Sequence, residues 1–456
     1  MPENTIRAIF YNSLNLNLIN ILNIHLIESI KMSTNCYEEM EARGFFYQLT
    51  DEDAVKKLLN EGTSTFYVGF DPTADSLHTG HLLPVMAARR LQQAGHKPII
   101  LVGGATALIG DPSGKQDARP ILSKEIVAHN AQALKDQLSN FINFDEAVFV
   151  NNSEWFSGML YIDMLREVGT HFSVNRMLSM DSVKQRMETG ITFLEFNYMI
   201  LQAYDFLHLN KEYGCNMQVG GQDQWGNIVS GVELVRRISG KHVFGSTFPL
   251  LTDSNGNKFG KSAGGAIWLD PKKTSIFDYY QFWRNVDDTD VAKMLYLFTS
   301  IPTEEIIELN KLEAPAINRA KEILAYETTV LAHGEEEAKK AYIAAGTKFG
   351  FADQENKIFT SSKIKNIKKT DCSENLPTYA LKLNDLEEGK WIVELFTDAG
   401  LSKSNGDARR LIKGGGAYLN NNRISDVNLT VTAKDFVENE AILKAGKKNI
   451  RRLIIK

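Results

Sequence analysis

Short apolar runs and longer helical patterns alternate along the chain between residues 44 and 250. The apolar runs are typical of buried strands, and the periodic segments are typical of amphipathic helices. The predicted strands are 66–70, 98–102, 148–151 and 216–219, and the predicted helices are 82–93, 123–141 and 193–209. Strands that alternate with helices predict the α/β class, with a parallel sheet that carries helices on both faces.

The second half of the chain has different patterns. Residues 274–346 predict only helices, at 275–284, 288–298, 303–311, 316–333 and 334–344. The weakly patterned stretch 348–377 is typical of a linker. Residues 385–456 predict a small α/β unit in which a helix ends in Arg409, Arg410 and Lys413. These cations suit contacts with RNA phosphates, although a solvated basic helix has the same pattern.

The segment 67–81 carries the first chemical signal. It ends in His-Thr-Gly-His at 78–81, at a predicted strand-to-helix turn, with Pro84 in the first turn of the helix, where a missing N–H costs little. Gly80 leaves room for a flat base, and two imidazoles beside a helix N-terminus suit a phosphate whose charge grows during reaction. Two loop histidines that cap a helix would give the same short pattern.

A second segment, 258–262, favours the phosphate-binding interpretation of the two histidines over helix capping. It reads Lys-Phe-Gly-Lys-Ser and has glycines at 256, 264 and 265, which predicts a mobile loop with two lysines. A solvated basic turn has a similar composition. The two segments occur in this order and about one nucleotide-binding domain apart, which makes them much more specific together than either is alone.

Two other nucleotide motifs are absent from the sequence. No G-x-G-x-x-G occurs, and Ile109 occupies the place where a phosphate loop ending in Gly114-Lys115 would need its first glycine. Both absences argue against a dehydrogenase and against a P-loop nucleotidase.

Composition and charge limit the class of protein further. A chain of 456 residues predicts two or three domains, and 43% hydrophobic with 23% charged residues is typical of a soluble globular protein. The net charge of −5 hides basic stretches at 361–369 and 445–456, which favour a polyanionic partner at that end. Three distant cysteines, Cys36, Cys215 and Cys372, fit neither a disulfide framework nor a zinc site and indicate a cytoplasmic protein.

Residues 1–31 differ from the rest of the chain. Asparagines and His25 interrupt every apolar run between residues 10 and 30, so this segment is too polar to span a membrane and does not resemble a signal peptide. We expect a mispredicted start upstream of Met32 or a disordered extension, rather than a functional amphipathic segment, and we expect no association with a membrane.

At these motifs the sequence resembles a known family. Residues 78–81 resemble the HIGH signature of class I aminoacyl-tRNA synthetases, and residues 258–262 resemble their KMSKS loop. The segments 67–74, 110–115 and 220–227 narrow the resemblance to the bacterial-type tyrosyl-tRNA synthetases, from about Gly44 to the C-terminus. Within the last unit, 400–420 resembles an RNA-binding module named after a small-subunit ribosomal protein. Thr79 and the pair at 259–260 depart from the motifs where the family varies, so neither suggests inactivity.

The resemblance implies a reaction, partners and domains. The expected reaction activates tyrosine with ATP to tyrosyl-adenylate and pyrophosphate, then transfers tyrosine to the 3′-terminal adenosine of a tRNA. Mg²⁺ is expected with ATP, without a metal site in the protein itself, and a homodimer is expected through a helical insertion at about 117–189. The expected domains are a Rossmann-like catalytic domain (32–273), a helical anticodon-side domain (274–347), a linker (348–384) and an RNA-binding module (385–456).

The resemblance also implies roles for single residues. The expected catalytic residues are His78, His81, Lys258, Lys261 and Ser262. The expected ATP-binding residues are Gly69, Asp71, Gly80, Asp223 and Lys261. The expected tyrosine-binding residues are Tyr67, Asp111, Tyr198, Gln202, Asp205 and Gln224. The expected tRNA-binding residues are Lys403, Arg409, Arg410 and Lys413.

The expectation that the amino-acid substrate is tyrosine depends on the residues of one helix face. Tyr198, Gln202 and Asp205 have the spacing i, i+4 and i+7, so one side of a helix presents all three. Core aromatics beside a surface aspartate would give the same spacing. By resemblance, Asp205 and Tyr67 complement a phenol, which donates one hydrogen bond and accepts another. A tryptophanyl-type synthetase is the near alternative, but an indole offers only one N–H donor. The other alternative is a non-catalytic RNA-binding protein that keeps the synthetase fold. Degraded signature motifs would indicate such a protein, and both motifs are intact here.

Overall fold

The computed structural model describes most of the chain and leaves several short segments out. The described residues are 35–113, 122–252, 254, 256, 259–262, 265–367, 378–387, 389–420, 422–437, 439–446 and 449–455. The expectations for residues 1–31 and for Lys258 therefore fall outside the described residues. The chain forms two compact units, Met1–Ser275 with Asp287–Ile307, and Ile276–Val286 with Glu308–Lys456.

A six-stranded sheet forms the centre of the first unit. Its strands are β1 (Gln48–Leu49), β2 (Thr65–Phe70), β3 (Lys97–Val102), β4 (Val148–Asn151), β5 (Met217–Gly221) and β6 (Phe244–Phe248). The order across the sheet is β1-β6-β5-β2-β3-β4, and every pair is parallel except β1 with β6. The α/β class is therefore confirmed, with one antiparallel edge strand that the sequence analysis missed because it is only two residues long.

Strand β6 was also missed, for a different reason. Its sequence contains Gly245, Ser246 and Thr247, which are buried although they are small or polar. At Gly245 a Cβ would meet the Cγ2 of Ile228 at 2.2 Å, so glycine is needed where the strand approaches a helix. A strand of this composition gives neither an apolar run nor an alternating pattern.

The helices of the first unit connect the strands. They are α1 (Cys36–Ala42), α2 (Glu52–Glu61), α3 (Leu82–Gln93), α4 (Lys124–Leu138), α5 (Ser153–Phe156), α6 (Tyr161–Glu167), α7 (Val174–Ser179), α8 (Asp181–Met187), α9 (Phe193–Phe196), α10 (Tyr198–Tyr213) and α11 (Trp225–Ser239). The predicted helix 193–209 is two helices, because the chain breaks at Asn197. Apolar side chains of β2, β3, β4, α10 and α11 share one core.

The expected helical insertion at 117–189 needs a correction. It contains β4, which pairs with β3 in the central sheet, so only the helices that follow Asn151 can be inserted. The sheet order also reverses between β2 and β5: the chain runs outward from β2 through β3 to β4 and returns to β5 on the other side. In open parallel sheets this reversal leaves a crevice at the carboxyl ends of the strands, where ligands bind.

The rest of the first unit follows β6 in the sequence, and Ala266 of its hairpin lines the crevice. It comprises a hairpin of β7 (Lys261–Ser262) and β8 (Gly265–Ala266), followed later by helix α13 (Val291–Phe298). Arg43 and Arg90 are buried and donate to the backbone oxygen of Thr299, just beyond α13. These bonds hold α13 in the first unit, although the sequence predicted it as part of a separate helical domain.

The second unit begins with packed helices. They are α12 (Ile276–Arg284), α15 (Ile317–His333) and α16 (Glu335–Phe349). In the sequence, α14 (Thr303–Leu309) lies between α12 and α15, and it begins in the first unit and ends in the second. The expected linker from residue 348 is partly structured, since Ile364 is fully buried and Ser362 donates to Glu327 of α15 at 2.5 Å. Residues 350–367 therefore pack against the helices, and 368–377 lie outside the described residues.

The end of the chain forms a small mixed unit. Its strands are β9 (Thr378–Leu381), β10 (Lys390–Trp391), β11 (Ala417–Leu419), β12 (Asn422–Arg423), β13 (Thr430–Val431), β14 (Glu440–Ala445) and β15 (Asn449–Ile455), and its helices are α17 (Leu383–Glu387), α18 (Ile392–Asp398) and α19 (Asn405–Lys413). Strand β9 pairs with β15, so the module begins before the expected boundary at 385. Within the part of the chain that is described, no helix is long and apolar enough to cross a bilayer.

Candidate active site

A cavity of about 430 Å³ opens where the sheet order reverses. The last residues of β2 and β5 line it, which is the expected place for a ligand crevice in an open parallel sheet. Twelve residues with expected roles line this one cavity: Tyr67, Gly69, Asp71, His78, Gly80, His81, Asp111, Tyr198, Gln202, Asp205, Asp223 and Gln224. Every residue expected to bind tyrosine is among them, so the structure brings together residues that lie far apart in sequence.

The buried end of the cavity holds Tyr67 and Asp205. Both side chains are about 1% exposed. The hydroxyl of Tyr67 has no hydrogen-bond partner within the described structure, and its ring packs edge-on against Phe206 at 5.3 Å. Burial raises the pKa of Tyr67 and the pKa of Asp205 well above their ordinary values. A buried hydroxyl without a partner is costly, so this end of the cavity is suited to a ligand with a polar tip.

Two side chains that the sequence analysis missed hold Asp205. The indole N–H of Trp155 donates to Oδ1 of Asp205 at 2.9 Å, and the amide of Asn152 donates to Oδ2 at 3.2 Å. The same amide reaches Thr106 Oγ1 at 3.0 Å. Asn152 directly follows β4, so its position at the carboxyl edge of the sheet was the available signal. Trp155 gave no signal of its own.

A second carboxylate, Asp71, connects two of the expected residue sets. It accepts from the hydroxyl of Tyr198 at 2.9 Å and from Oγ1 of Thr106 at 3.0 Å. Tyr198 was expected to face tyrosine and Asp71 to face ATP. Their hydrogen bond therefore joins one residue of the expected tyrosine-binding set to one of the expected ATP-binding set.

A third group of polar side chains lies at the cavity. The amide of Gln224 donates to Asp111 Oδ2 at 2.7 Å, and the backbone N–H of Ser113 donates to Oδ1 at 2.9 Å. Asn227 Nδ2 lies 3.1 Å from Gln202 Oε1 and 3.0 Å from Gln224 Oε1. Asn227 was missed as a site residue, and it fixes both glutamine oxygens. The network therefore presents amide and carboxylate groups in a defined orientation.

The histidine motif forms a tight turn before α3. Nδ1 of His78 accepts from the N–H of Gly80 at 3.1 Å, and Nδ1 of His81 accepts from the N–H of His78 at 3.2 Å. The two rings stack at 3.9 Å between centroids. Since Nδ1 is an acceptor in each ring, the proton of each neutral imidazole is on Nε2. Both histidines are thus fixed as Nε2–H donors on the cavity wall.

The loop of the second motif, residues 258–262 (the lysine loop), approaches the turn at 78–81 through Gly260. Gly260 has a φ of +94°, and a Cβ there would lie 2.7 Å from Thr79 Oγ1 and 2.9 Å from Gly80 N. The N–H of Thr79 also donates to Ile267 O just beyond the loop, at 2.9 Å. This close approach of two backbones requires glycine, and it joins the two sequence motifs in space.

The lysines of this loop remain expectations. Lys258 falls outside the described residues, and Lys261 and Ser262 are described only as the backbone of β7. Gly69 and Asp223 do line the cavity. Asp223 Oδ1 would lie 2.6 Å from a Cβ on Gly221, so that glycine allows the carboxylate to lie against the end of β5.

The residues expected to bind tRNA belong to the second unit. Lys403, Arg409, Arg410 and Lys413 are exposed on α19 and in the turn before it. The guanidinium of Arg409 lies 5.0 Å from the centroid of the Trp391 ring, and Arg410 pairs with Asp407. The module therefore presents several cations along one element, as the sequence predicted.

Comparisons with known proteins show the family to which the chain is similar. Residues 59–350 match the family model of tRNA synthetases class I (W and Y), and residues 368–452 match the tyrosine–tRNA ligase SYY-like C-terminal domain. A tyrosine–tRNA ligase of Clostridium kluyveri is 48% identical over 92% of this chain and 100% of its own length. One of Clostridium tetani is 47% identical over 93% of this chain and 100% of its own length. A truncated mitochondrial tyrosyl-tRNA synthetase of Aspergillus nidulans is 31% identical, with a TM-score of 0.61 over 69% of this chain and 97% of its own.

The fold and these matches define a class I tRNA synthetase, and therefore an enzyme. Within that class the chain belongs to the tyrosine–tRNA ligase family. The resemblance found in the sequence is confirmed. The tryptophanyl alternative and the non-catalytic alternative are both less well supported, since the curated relatives are tyrosine–tRNA ligases over nearly the whole chain.

Proposed function

We propose that this chain joins tyrosine to its tRNA, using ATP, through the residues of the cavity described above. The observation that carries the proposal is the buried pair of Tyr67 and Asp205 at the closed end of the cavity. A phenol hydroxyl donates one hydrogen bond and accepts another, and these two side chains supply an acceptor and a donor. Phenylalanine would leave the hydroxyl of Tyr67 buried and unpaired and would offer no donor to Asp205, so the site should discriminate against it.

The opposite end of tyrosine would be held by the wall of polar groups. We assign the α-ammonium to Asp111, Tyr198 and Gln202, and the orientation of the carboxylate to Gln224. The hydrogen bonds of Asn227 and Ser113 fix these groups before substrate arrives. A preorganised site holds the carboxylate close to the α-phosphate and lowers the entropic cost of the reaction.

Activation requires no protein nucleophile. A carboxylate oxygen of tyrosine attacks the α-phosphorus of ATP, a new P–O bond forms, and the bond from the α-phosphorus to the β-bridging oxygen breaks, which releases pyrophosphate. Negative charge grows on the phosphate oxygens, and the Nε2–H groups of His78 and His81 are suited to stabilise it. Lys258, Lys261 and Ser262 are assigned to the pyrophosphate side, Gly69, Asp71 and Gly80 to ATP, and Asp223 to its ribose hydroxyls.

Magnesium is expected to accompany ATP. Among the residues that the structure describes, no group of three His, Cys, Asp or Glu side chains is arranged to hold a metal ion. Magnesium keeps several waters and binds readily to phosphate oxygens. We therefore assign it to the nucleotide rather than to the protein, where it would offset phosphate charge.

The C-terminal module is proposed to contact the tRNA backbone. Lys403, Arg409, Arg410 and Lys413 offer exposed cations to phosphates. Replacing all four by glutamine should weaken tRNA binding and flatten its salt dependence, because each lost phosphate contact lowers the slope by about one. Replacing Lys382 and Lys434, which are exposed in the same module, is the matched control.

The direct test of the proposed reaction is formation of tyrosyl-tRNA by the full chain. Purified protein, ATP, magnesium, radioactive tyrosine and a tyrosine tRNA transcript should yield labelled tRNA that is stable in acid. Failure to form it with any tyrosine tRNA transcript, in a protein that is folded, would contradict the proposal.

We also propose a homodimer in the cytoplasm. Large apolar side chains are exposed on and beside the helices that follow β4: Leu160, Tyr161, Ile162, Val174, Met187 and Phe193. Patches of this kind mark interaction surfaces, and a symmetric dimer would cover them. Ile162→Glu should yield a monomer in sedimentation experiments, whereas Ile126→Glu, at another exposed isoleucine, should not. The free buried thiols of Cys36 and Cys215 suit a reducing compartment.

A further inference from the structure

His208 lies beside the closed end of the cavity and has no role in the functions proposed above. It follows Asp205 by one turn of α10, so the two side chains share a face of that helix. Its imidazole stacks on the indole of Trp155, with 4.2 Å between the ring centroids and 24° between the ring planes. His208 does not line the cavity itself, so any effect on a ligand must pass through another side chain.

The indole of Trp155 is attached to α10 at two points. Its N–H donates to Oδ1 of Asp205 at 2.9 Å, and the face of its ring lies against His208. A hydrogen bond weakens steeply when the donor is misaligned, and one bond alone does not fix the plane of the ring that donates it. The stack supplies the second contact. Together the two contacts fix both the position and the direction of the N–H.

The two donors to Asp205 are held in different ways. Asn152 is fully buried, and its Oδ1 accepts from the N–H of Ala105 at 2.7 Å, so its amide is anchored by the backbone. Trp155 is only partly buried and lies on α5, a helix of four residues. A single helical turn is marginal without tertiary contacts. The orientation of this indole therefore depends on packing, and His208 provides the stacked contact.

The imidazole of His208 acts as a flat ring rather than as a charge. Burial is the largest influence and lowers its pKa, the carboxylates of Glu212 and Glu154 oppose this decrease, and Lys211 adds to it. The ring of Tyr204 packs beside it at 6.4 Å between centroids. Because the pKa of His208 lies below its ordinary value, the ring is neutral at neutral pH. An uncharged ring of similar shape should therefore replace it.

We propose that His208 is a positioning residue for the recognition of tyrosine. It holds the indole of Trp155 in the plane that directs the N–H at Asp205, and Asp205 in turn accepts from the phenol hydroxyl of the substrate. The effect is confined to ligands with this hydroxyl, because phenylalanine has no hydrogen to donate to the carboxylate. The inference rests on the proposed function, since it takes tyrosine as the substrate.

Four full-length variants test the proposal. His208→Ala and His208→Gln both remove the ring, so the test stands if one of them fails to fold. His208→Phe keeps a flat ring without the nitrogens. His242→Ala is the control, because His242 is an exposed histidine of the same unit and does not line the cavity. The measurement is exchange of labelled pyrophosphate into ATP at neutral pH, with tyrosine and with phenylalanine.

The expected results separate a positioning role from a merely structural one. The ratio of kcat/KM for tyrosine to kcat/KM for phenylalanine should fall about 2- to 10-fold in His208→Ala and His208→Gln, which is the typical contribution of an aromatic pair. A higher KM for tyrosine should cause this fall, while the KM for ATP and the exchange with phenylalanine stay unchanged. His208→Phe and His242→Ala should keep the ratio. A structural defect would instead lower exchange with both amino acids alike.

A double variant tests whether His208 acts through Trp155. Trp155→Phe deletes the N–H that His208 is proposed to direct. In this background His208→Ala should change the tyrosine-to-phenylalanine ratio little, so the effects of the two substitutions should not add. Full additivity would contradict the proposal, because His208 would then act by another route.

Three further results would overturn the proposal. The first is that His208→Ala and His208→Gln keep the ratio of the unaltered protein. The second is that exchange with tyrosine and exchange with phenylalanine fall together. The third is that His208→Phe loses the ratio as fully as His208→Ala does. Each of these refutes the role of His208 alone, provided that the unaltered protein shows exchange that depends on tyrosine. Absence of that exchange would refute the proposed function itself.

Discussion

The indole N–H of Trp155 donates to Oδ1 of the buried Asp205 at 2.9 Å. Asn152 donates to the other oxygen, so each oxygen of the carboxylate has one fixed donor. Burial raises the pKa of Asp205, and these two hydrogen bonds oppose that rise. The geometry and charge of the proposed phenol acceptor therefore depend on two residues that do not line the cavity.

Removing either donor should weaken the binding of tyrosine. Trp155→Phe keeps most of the ring and deletes the N–H, and a hydrogen bond to a charged group contributes about 1.5–3 kcal/mol. We expect the KM for tyrosine in pyrophosphate exchange to rise about tenfold, with the KM for ATP nearly unchanged. Asn152→Ala should act in the same direction. If both variants keep the tyrosine KM of the unaltered protein, Asp205 does not bind the substrate.

The fixed tautomers of the two histidines give a second prediction. His78→Ala or His81→Ala should slow adenylate formation about a hundredfold or more and leave tyrosine affinity nearly unchanged, because donors aimed at growing charge act on the transition state. Two conservative variants separate the ring nitrogens. His81→Gln can supply a donor near Nε2, whereas His81→Asn can replace only the Nδ1 acceptor. Single-turnover rates should therefore follow the order His, Gln, Asn, and the reverse order would contradict the assignment.

Helix α13 is predicted to hold the lysine loop. Lys293 donates to Thr252 O at 2.9 Å, the N–H of Ser254 donates to Asp290 Oδ2 at 2.8 Å, and the rings of Phe259 and Phe298 stack at 6.4 Å. Lys293→Met should slow adenylate formation several-fold while tyrosine affinity stays unchanged, since the loop serves the phosphates. The matched control is Lys311→Met, an exposed lysine paired only with a neighbour on the surface. Equal rates for both variants would show that α13 does not position the loop.

A buried histidine should make the stability of the protein depend on pH. His96 is about 3% exposed, its Nδ1 accepts from Ser64 N at 3.1 Å, and burial lowers its pKa to about 4. Because the folded pKa lies below the unfolded value near 6.5, the unfolded chain gains a proton first as pH falls. Stability should therefore decrease between about pH 6.5 and 4, by as much as about 3 kcal/mol from this group. In urea unfolding of the first unit, His96→Gln should show a shallower decrease, and an unchanged profile would refute the effect.

The sequence predicted the fold well wherever residues follow a regular pattern. The bounds of α3 were predicted without error, since apolar residues repeat along it and Pro84 lies near its start. The missed elements, β1 and β6, are a two-residue strand and a strand with buried Ser246 and Thr247. Neither follows a local pattern, because their pairing depends on distant residues. The same reason explains why α13 was assigned to the wrong compact unit.

The expected site residues were identified mainly through the family motifs. The side chains that hold those residues in place were not identified from the sequence. Most of the expected residues that line the cavity were found because signature segments contain them, whereas Tyr198, Gln202 and Asp205 were found through their shared helix face together with the resemblance. Asn152, Trp155 and Asn227 act through other side chains, so only their positions in the fold reveal them.

The central claim is that the closed end of the cavity recognises a phenol. The most direct test is exchange of labelled pyrophosphate into ATP, measured with each of the twenty amino acids and repeated for Tyr67→Phe. We predict exchange with tyrosine alone in the unaltered protein. In Tyr67→Phe we predict about a fivefold loss of discrimination against phenylalanine, which corresponds to one neutral hydrogen bond of about 1 kcal/mol. Exchange driven by tryptophan, or an unchanged ratio of tyrosine to phenylalanine in the variant, would contradict the account.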